Sequence, residues 1–300
     1  MEKLRAFVVV LLAMMYSSAT RAEIIDDYVK VSDDLTLHYQ KTGTGSIAIV
    51  FVPGWTMTTR AFEHQISHFQ DSAAFQAITY DPRAQGLSTI TIEGHYYEQH
   101  ARDLEKLLTK LDVQKFVLVG WSSGGGDILE YVRLYGASKL AGLVLLDTPP
   151  KVKTTDYTQD WAWFGTKEEG DQDGLLRTFV YDVMVDRKKV NRELAKWMLD
   201  DPSPSNIRFV EEMTNHTPDS IAALLNTSSW YLDNTQQVKE LNGKVPLLYF
   251  TREEWNGAAT KWAKANTPAA KVVSFGKHLM FWEHPDKFNS ALDEFLKSVR

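Results

Sequence analysis

The sequence predicts an α/β fold, with a mostly parallel eight-stranded sheet, helices on both faces and a helical insertion late in the chain. Apolar runs typical of strands buried on both faces alternate with segments of helical periodicity. An alternating polar and apolar hairpin precedes them, and about ninety residues without a strong strand interrupt them. Alternation of strands and helices favours right-handed crossovers and therefore a parallel sheet.

The predicted strands begin with the hairpin Tyr28 to Ser32 and Leu35 to Tyr39, whose alternation indicates an antiparallel edge. Six apolar runs would complete the sheet: residues 47–52, 75–80, 116–119, 143–146, 245–250 and 271–275. Helical periodicity occupies residues 60–69, the stretch around 101–111 and residues 127–135. A final helix begins at Pro285, a residue that suits the first helical position.

Four segments follow from this pattern. Residues 1–22 have the charged start, apolar centre and small-residue end of a secretory signal peptide, cleaved after Ala22. The apolar centre spans about ten residues, which is too short to cross a bilayer. Residues 23–150 would form the first part of the core, 151–240 a helical lid, and 241–300 the second part of the core. We therefore expect a secreted or periplasmic bacterial protein, with no membrane attachment after cleavage.

Composition limits the possible partners and chemistry. The net charge is −6, and it becomes −8 when residues 1–22, with three basic residues and one acidic residue, are removed. Such a charge disfavours nucleic acid as a partner. The chain has no cysteine, so its stability depends on its core and thiol chemistry is excluded. We expect no metal and no cofactor, and the oligomeric state stays open.

The most informative segment joins an apolar strand to a helix through Gly120-Trp121-Ser122-Ser123-Gly124. In a nucleophile elbow the nucleophile has a strained backbone, and the residues two before and two after it must be small. Gly120 and Gly124 meet that requirement around Ser122. An ordinary glycine-rich turn is the simpler interpretation, but the strand before and the helical pattern after favour a catalytic serine.

A serine hydroxyl needs a histidine as base and an acid to orient that histidine. His278 follows the last strand across Gly276-Lys277, which places it at the carboxyl edge of the sheet with the elbow. His284 is better explained as a residue that caps or packs the last helix. His64 and His68 have the spacing of metal ligands, but no third ligand accompanies them, so we interpret them as a polar helix face.

These motifs resemble those of the α/β-hydrolase fold superfamily over nearly the whole mature chain. Val52-Pro53-Gly54-Trp55 resembles its oxyanion loop, Asp81 to Ser88 its Asp-x-Arg-x-x-Gly-x-Ser loop, and Gly276-Lys277-His278 its histidine loop. Gly125-Gly126 and Glu283-His284-Pro285 are most similar to the cofactor-free haloperoxidase and esterase branch. That branch usually has histidine where Pro53 stands and methionine where Ser123 stands. The resemblance implies that the backbone N–H groups of Trp55 and Ser123 form the oxyanion hole.

The acid of the triad has two candidates. The family's usual position, after the seventh strand, should offer a Gly-x-x-Asp turn, but this chain has Thr251-Arg252-Glu253-Glu254-Trp255 there. Glu254 could serve with a shift of one residue. Asp147, which ends the strand Leu143 to Leu146, occupies an alternative position used by some family members. The sequence does not separate Asp147 from Glu254, and capping or solvation would explain either residue without catalysis.

We therefore expect a serine hydrolase that cleaves a small, apolar ester through an acyl-enzyme intermediate. Serine at position 122 argues against dehalogenase and epoxide hydrolase chemistry, which needs a carboxylate nucleophile. Perhydrolysis by the same triad is one alternative, and cleavage of a thioester, a lactone or a carbon–carbon bond is another. A ligand-binding sensor with negligible turnover is the alternative from outside catalysis, because the position of the acid is irregular.

Overall fold

The computed structural model describes residues 22–156, 160–164 and 172–299, with the backbone alone for residues 172–177. Apart from Ala22, the predicted signal peptide lies outside the described residues. None of the helices in these ranges is long and apolar enough to cross a membrane.

A single eight-stranded sheet forms the centre of the fold, in the spatial order β1-β2-β4-β3-β5-β6-β9-β10. Its first two pairs, β1 with β2 and β2 with β4, are antiparallel, and every other pair is parallel. The strands are β1 (Ile25–Lys30), β2 (Thr36–Gly43), β3 (Ile47–Val52), β4 (Phe75–Tyr80), β5 (Phe116–Trp121), β6 (Leu140–Leu146), β9 (Leu247–Thr251) and β10 (Lys271–Ser274). The predicted fold class is confirmed.

Helices cover both faces because the central strands are apolar on both faces. Every residue of β5, β6 and β9 is buried. One core cluster joins the sheet to α2 (Tyr97–Lys110), α3 (Ser123–Tyr135) and α9 (Asn256–Asn266). A second joins the opposite face to α1 (Glu63–His68), α10 (Met280–Glu283) and α11 (Pro285–Leu296). The parallel strands therefore end at one shared edge, supported from both sides.

The segment between β6 and β9, which we call the insert (residues 151–241), differs from the predicted helical segment in one detail. It contains a parallel pair of three-residue strands, β7 (Lys151–Lys153) and β8 (Ala162–Phe164). Strands this short give too few residues for a periodicity signal, so the sequence pattern missed them. The remaining elements are helices: α4 (Gln172–Val185), α5 (Arg187–Met198), α6 (Pro204–Thr214), α7 (Asp219–Ser229) and α8 (Thr235–Leu241).

Candidate active site

Ser122 lies in the sharp turn between β5 and α3 and has a strained backbone. Its φ is 56° and its ψ is −124°, values that residues other than glycine rarely adopt. The flanking glycines permit the turn. A Cβ at Gly120 would lie 2.5 Å from the carbonyl oxygen of Gly124, and one at Gly124 would lie 2.4 Å from that of Val52. The elbow therefore requires glycine at both positions and presents Ser122 at the edge of the sheet.

His278 is held in the loop after β10, beneath three indole rings. The turn begins at Gly276, whose φ of +58° favours glycine. The indole Nε1 of Trp121 donates to the carbonyl oxygen of His278 at 2.9 Å. The rings of Trp121, Trp163 and Trp197 lie 5.3, 5.6 and 4.8 Å from the imidazole ring. His278 is thus buried and fixed from several sides.

Asp147 contacts His278 directly. The Nδ1 of His278 lies 2.5 Å from the Oδ2 of Asp147, and the carboxylate is fully buried. Asp147 follows β6 with a φ of 45°, a conformation strained for aspartate. Its own N–H donates to the carbonyl oxygen of Phe250 at 2.7 Å, which ties the end of β6 to β9. Asp147 can therefore orient the imidazole from the end of β6.

The structure does not bring Glu254, the other acid candidate, to His278. Glu254 lies in the short helical turn Glu253–Trp255, and its side chain is 76% exposed. Its closest charged neighbour is the guanidinium of Arg252, with 3.6 Å between Arg252 Nε and Glu254 Oε2. The turn after β9 points this carboxylate outward because Arg252, the residue that leaves the strand, occupies the space beside Asp147.

Sequence reasoning missed Arg252, which holds the carboxylate of Asp147 through two hydrogen bonds. The backbone N–H of Arg252 donates to Oδ1 and its Nη1 donates to Oδ2, both at 2.8 Å. The guanidinium carbon lies 3.4 Å from the centre of the Trp255 ring. A signal was present in the sequence, because Arg252 is the first residue after a buried strand and begins the turn in which an acid was sought.

The surroundings favour an ionised Asp147 and a neutral His278. Burial opposes ionisation of Asp147, but the hydrogen bond from His278 and the charges of His278 and Arg252 outweigh it and hold the pKa of Asp147 below its ordinary value. Burial is also the largest influence on His278. It lowers the pKa of the imidazole, Arg252 lowers it further, and Asp147 only partly offsets both. His278 can therefore accept a proton at neutral pH.

Trp55 and Ser123 flank Ser122, as the resemblance implies for an oxyanion hole. Ser123 is the first residue of α3, so its N–H has no acceptor within the helix. The oxyanion loop comes close to the nucleophile, since a Cβ at Gly54 would lie 3.1 Å from the Cβ of Ser122. The indole Nε1 of Trp55 donates to the carbonyl oxygen of Ala222 in α7 at 2.8 Å, which fixes the loop beneath the insert.

Ser122 and His278 line one cavity of about 410 Å³, a volume typical of small-molecule sites. The described structure has no hydrogen bond between their side chains, and such bonds often form only once substrate is bound. Aromatic side chains dominate the wall: Trp55, Tyr97, Trp121, Trp163, Phe164, Phe179, Trp197 and Trp230. Five of these eight belong to the insert, which therefore supplies most of the aromatic side chains that line the cavity.

Asp81 and Arg83, in the predicted Asp-x-Arg-x-x-Gly-x-Ser loop, have structural contacts. Asp81 accepts hydrogen bonds from the N–H groups of Thr59 at 2.7 Å and Leu87 at 2.8 Å, which holds its loop together. Arg83 pairs with Asp103 at 2.8 Å. Within the described ranges, no three histidine or acidic side chains are arranged to hold a metal ion.

Three comparisons place the chain among known proteins. The family model for the alpha/beta hydrolase fold matches residues 47–180. A Synechocystis sp. protein named "Putative non-heme chloroperoxidase" is 31% identical over 302 residues, covering 90% of this chain and 99% of that protein. The "Bifunctional esterase/perhydrolase DCH" of Acinetobacter calcoaceticus is 30% identical over 44% of this chain and 49% of its own length. A bromoperoxidase structure from Bacillus anthracis has a TM-score of 0.79 and 25% identity, covering 91% of this chain and all of that one.

The elbow, the histidine loop and the sheet order agree with these similarities over almost the full length of the described chain. The protein therefore belongs to the α/β-hydrolase superfamily, in its haloperoxidase and esterase branch.

Proposed function

We propose that this enzyme is a serine hydrolase, a carboxylesterase that cleaves small, uncharged, apolar esters. One observation carries the proposal: a serine in a strained elbow lines the same cavity as a buried histidine that is paired with a buried aspartate. These are the parts that activate a serine hydroxyl. A sensor that only binds its ligand would have no need of the strain at Ser122 and Asp147.

The geometry supports a two-stage reaction. His278 Nε2 takes the proton of Ser122 as Oγ attacks the ester carbonyl, and Asp147 stabilises the imidazolium through Nδ1. The backbone N–H groups of Trp55 and Ser123 stabilise the oxyanion, where one donor is typically worth about 3 kcal/mol. The carbon–oxygen bond to the alcohol then breaks, and the leaving alcohol receives the proton from His278. Water, deprotonated by His278, attacks the acyl-enzyme and releases the carboxylic acid and free Ser122.

The cavity favours an uncharged substrate. Its wall contains two cationic side chains, Lys151 and Arg252, and each already has a carboxylate partner, Asp160 and Asp147 respectively. An anionic substrate group would have to displace one of these pairs, and a cationic group would meet like charges. The aromatic wall instead fits an apolar acyl or alcohol group.

Perhydrolysis is a second candidate, and the names of the relatives favour it, since they include a chloroperoxidase and an esterase/perhydrolase. In that reaction hydrogen peroxide replaces water, attacks the acyl-enzyme and leaves as a peracid. The acyl-enzyme and the triad are the same. Halide oxidation on addition of peroxide to an ester assay would support this activity, and its absence at full esterase activity would exclude it.

Pre-steady-state hydrolysis of 4-nitrophenyl acetate tests the proposal. We expect a burst of nitrophenol close to one equivalent, followed by slower turnover, and its loss in Ser122→Ala. Ser205→Ala, at an exposed position on α6, is the matched control. Folded wild-type protein that gives no burst and no turnover on ester, thioester or lactone substrates would contradict the proposal and favour the ligand-binding sensor.

We further propose that the protein is exported and acts on a small-molecule substrate outside the cytoplasm. Residues 1–22 have the pattern of a signal peptide. Amino-terminal sequencing of the protein recovered from cell fractions tests this proposal. A mature chain that starts at Glu23 in the periplasm or medium supports it, and an intact amino terminus in the cytoplasm contradicts it.

A further inference from the structure

We propose that Arg252 is a positioning residue of the reaction. It fixes the carboxylate of Asp147 and weakens the electrostatic attraction between that carboxylate and the proton carried by His278. This inference rests on the proposed function, because it assigns a part in the proton transfer from Ser122. It also concerns a residue outside the serine, histidine and acid of the triad.

Hydrogen bonds from Arg252 and His278 hold the carboxylate of Asp147. Three donors share its two oxygens: the N–H of Arg252 binds Oδ1, while Nη1 of Arg252 and Nδ1 of His278 both bind Oδ2. These hydrogen bonds engage both oxygens and therefore hold the carboxylate in its orientation. Because Oδ2 is shared, the negative charge that faces the imidazole is partly neutralised by the guanidinium.

Arg252 is buried against aromatic rings. The residue is 8% exposed, and its guanidinium lies over the rings of Trp163, Trp197 and Trp255 at 5.6, 4.9 and 3.4 Å. Its Nε has no hydrogen-bond partner in the described structure. A cation screened from water acts strongly on its neighbours. The guanidinium is thus packed between these aromatic rings and the carboxylate of Asp147.

The charged groups around the imidazole are few. From the elements packed against His278, β5, β8 and α5 contribute the three indoles, the end of β6 contributes Asp147, and the end of β9 contributes Arg252. Beyond Arg252, Glu254 lies 3.6 Å away and is exposed to solvent, so it screens the guanidinium weakly. Burial has the largest effect on the pKa of His278, and one anion and one cation act beside it on how readily the imidazole holds a proton.

The charge of Arg252 should affect how kcat/KM depends on pH. The active enzyme needs neutral His278, so kcat/KM rises with pH through the pKa of that imidazole. Arg252 lowers this pKa. Without the cation, the unopposed carboxylate would hold the proton on His278 more tightly. The acid limb of the pH profile would then move to higher pH.

The test compares the pH profiles of kcat/KM for wild type, Arg252→Gln and Arg252→Lys. Arg252→Gln removes the charge and keeps the backbone N–H, whereas Arg252→Lys keeps the charge. Arg208→Met, at an exposed position on α6, controls for the loss of one positive charge elsewhere. We expect the acid limb to move to higher pH in Arg252→Gln only. If the acid limb fell at the same pH in folded Arg252→Gln and in wild type, the proposal would be overturned.

An NMR titration of the His278 ring gives a second measurement that needs no activity. It should show a higher imidazole pKa in Arg252→Gln than in wild type, even if the wild-type protein fails every hydrolase assay, so the two proposals can fail separately. If Arg252→Gln does not fold, the same titration is made on Arg252→Met, which also removes the charge and keeps an apolar stem against the indole rings. An imidazole pKa equal to that of wild type would overturn the inference.

Discussion

Replacement of Asp147 by asparagine should abolish most of the activity while it leaves the shape of the site intact. The carboxylate accepts three hydrogen bonds, two of them at Oδ2. An amide has one oxygen. If it remains paired with the backbone N–H of Arg252, the amide NH₂ takes the position of Oδ2 and meets two donors. His278 must then turn to the tautomer that accepts at Nδ1 and carries its proton at Nε2, where it cannot accept the proton of Ser122.

The magnitude follows from these contacts. Loss of the correct tautomer in a serine triad typically lowers kcat by about 10⁴-fold. Stability should fall as well, because Arg252 would be left buried without its counter-ion. Removal of one partner from a buried pair typically costs about 3–5 kcal/mol. Glu254, at 3.6 Å from Arg252 Nε, would offset a small part of that cost.

Steady-state hydrolysis of a nitrophenyl ester and urea denaturation at one pH measure the two effects. Glu254→Gln is the matched control, since it neutralises an exposed carboxylate, and it should change stability by less than about 0.5 kcal/mol. If Asp147→Asn kept kcat within about tenfold of wild type while Glu254→Gln lost activity, the assignment of the acid to Asp147 would be refuted.

Three further outcomes are expected. Gly120→Ala should lose about 1–3 kcal/mol of stability and most activity, because its Cβ would lie 2.5 Å from the carbonyl oxygen of Gly124. Gly257→Ala should not be destabilised in thermal melts, because a Cβ there would meet no atom within 4 Å beyond the neighbouring backbone of its own helix. The acid limb of wild-type kcat/KM should have its midpoint below pH 6.5, since burial first and then a nearby cation lower the pKa of His278; a midpoint above 6.5 would contradict this. Burial opposes protonation of His38, but the carboxylates of Asp81 and Asp26 raise its pKa above 6.5. Its contribution to stability is therefore complete below pH 6.5 and is lost as pH rises through the pKa of the folded state. Urea denaturation across that range should show a shallower decline in His38→Gln.

Much of the fold could be predicted because its strands are apolar on both faces and long enough to show it. The elbow could also be predicted, because backbone contacts leave no room for a side chain at Gly120 and Gly124 and so require glycine there. Strands β7 and β8 gave no such signal with three residues each.

The acid could not be predicted from spacing alone. Asp147 and Glu254 each follow a strand that ends at the same edge of the sheet, so both are plausible until the turns are known. The turn after β9 gives them different surroundings, because it directs Arg252 toward Asp147 and Glu254 toward solvent. That direction depends on packing against Trp255 in the same turn and against Trp163 and Trp197, which come from distant parts of the chain.

Covalent labelling with a fluorophosphonate tests the central claim most directly. The purified protein would be treated with the probe and the modified peptide identified by mass spectrometry, for wild type, Ser122→Ala and His278→Ala. We predict one adduct per chain, on Ser122, absent from Ser122→Ala and strongly reduced in His278→Ala. Folded wild-type protein without an adduct, or an adduct that persists in Ser122→Ala, would contradict the account.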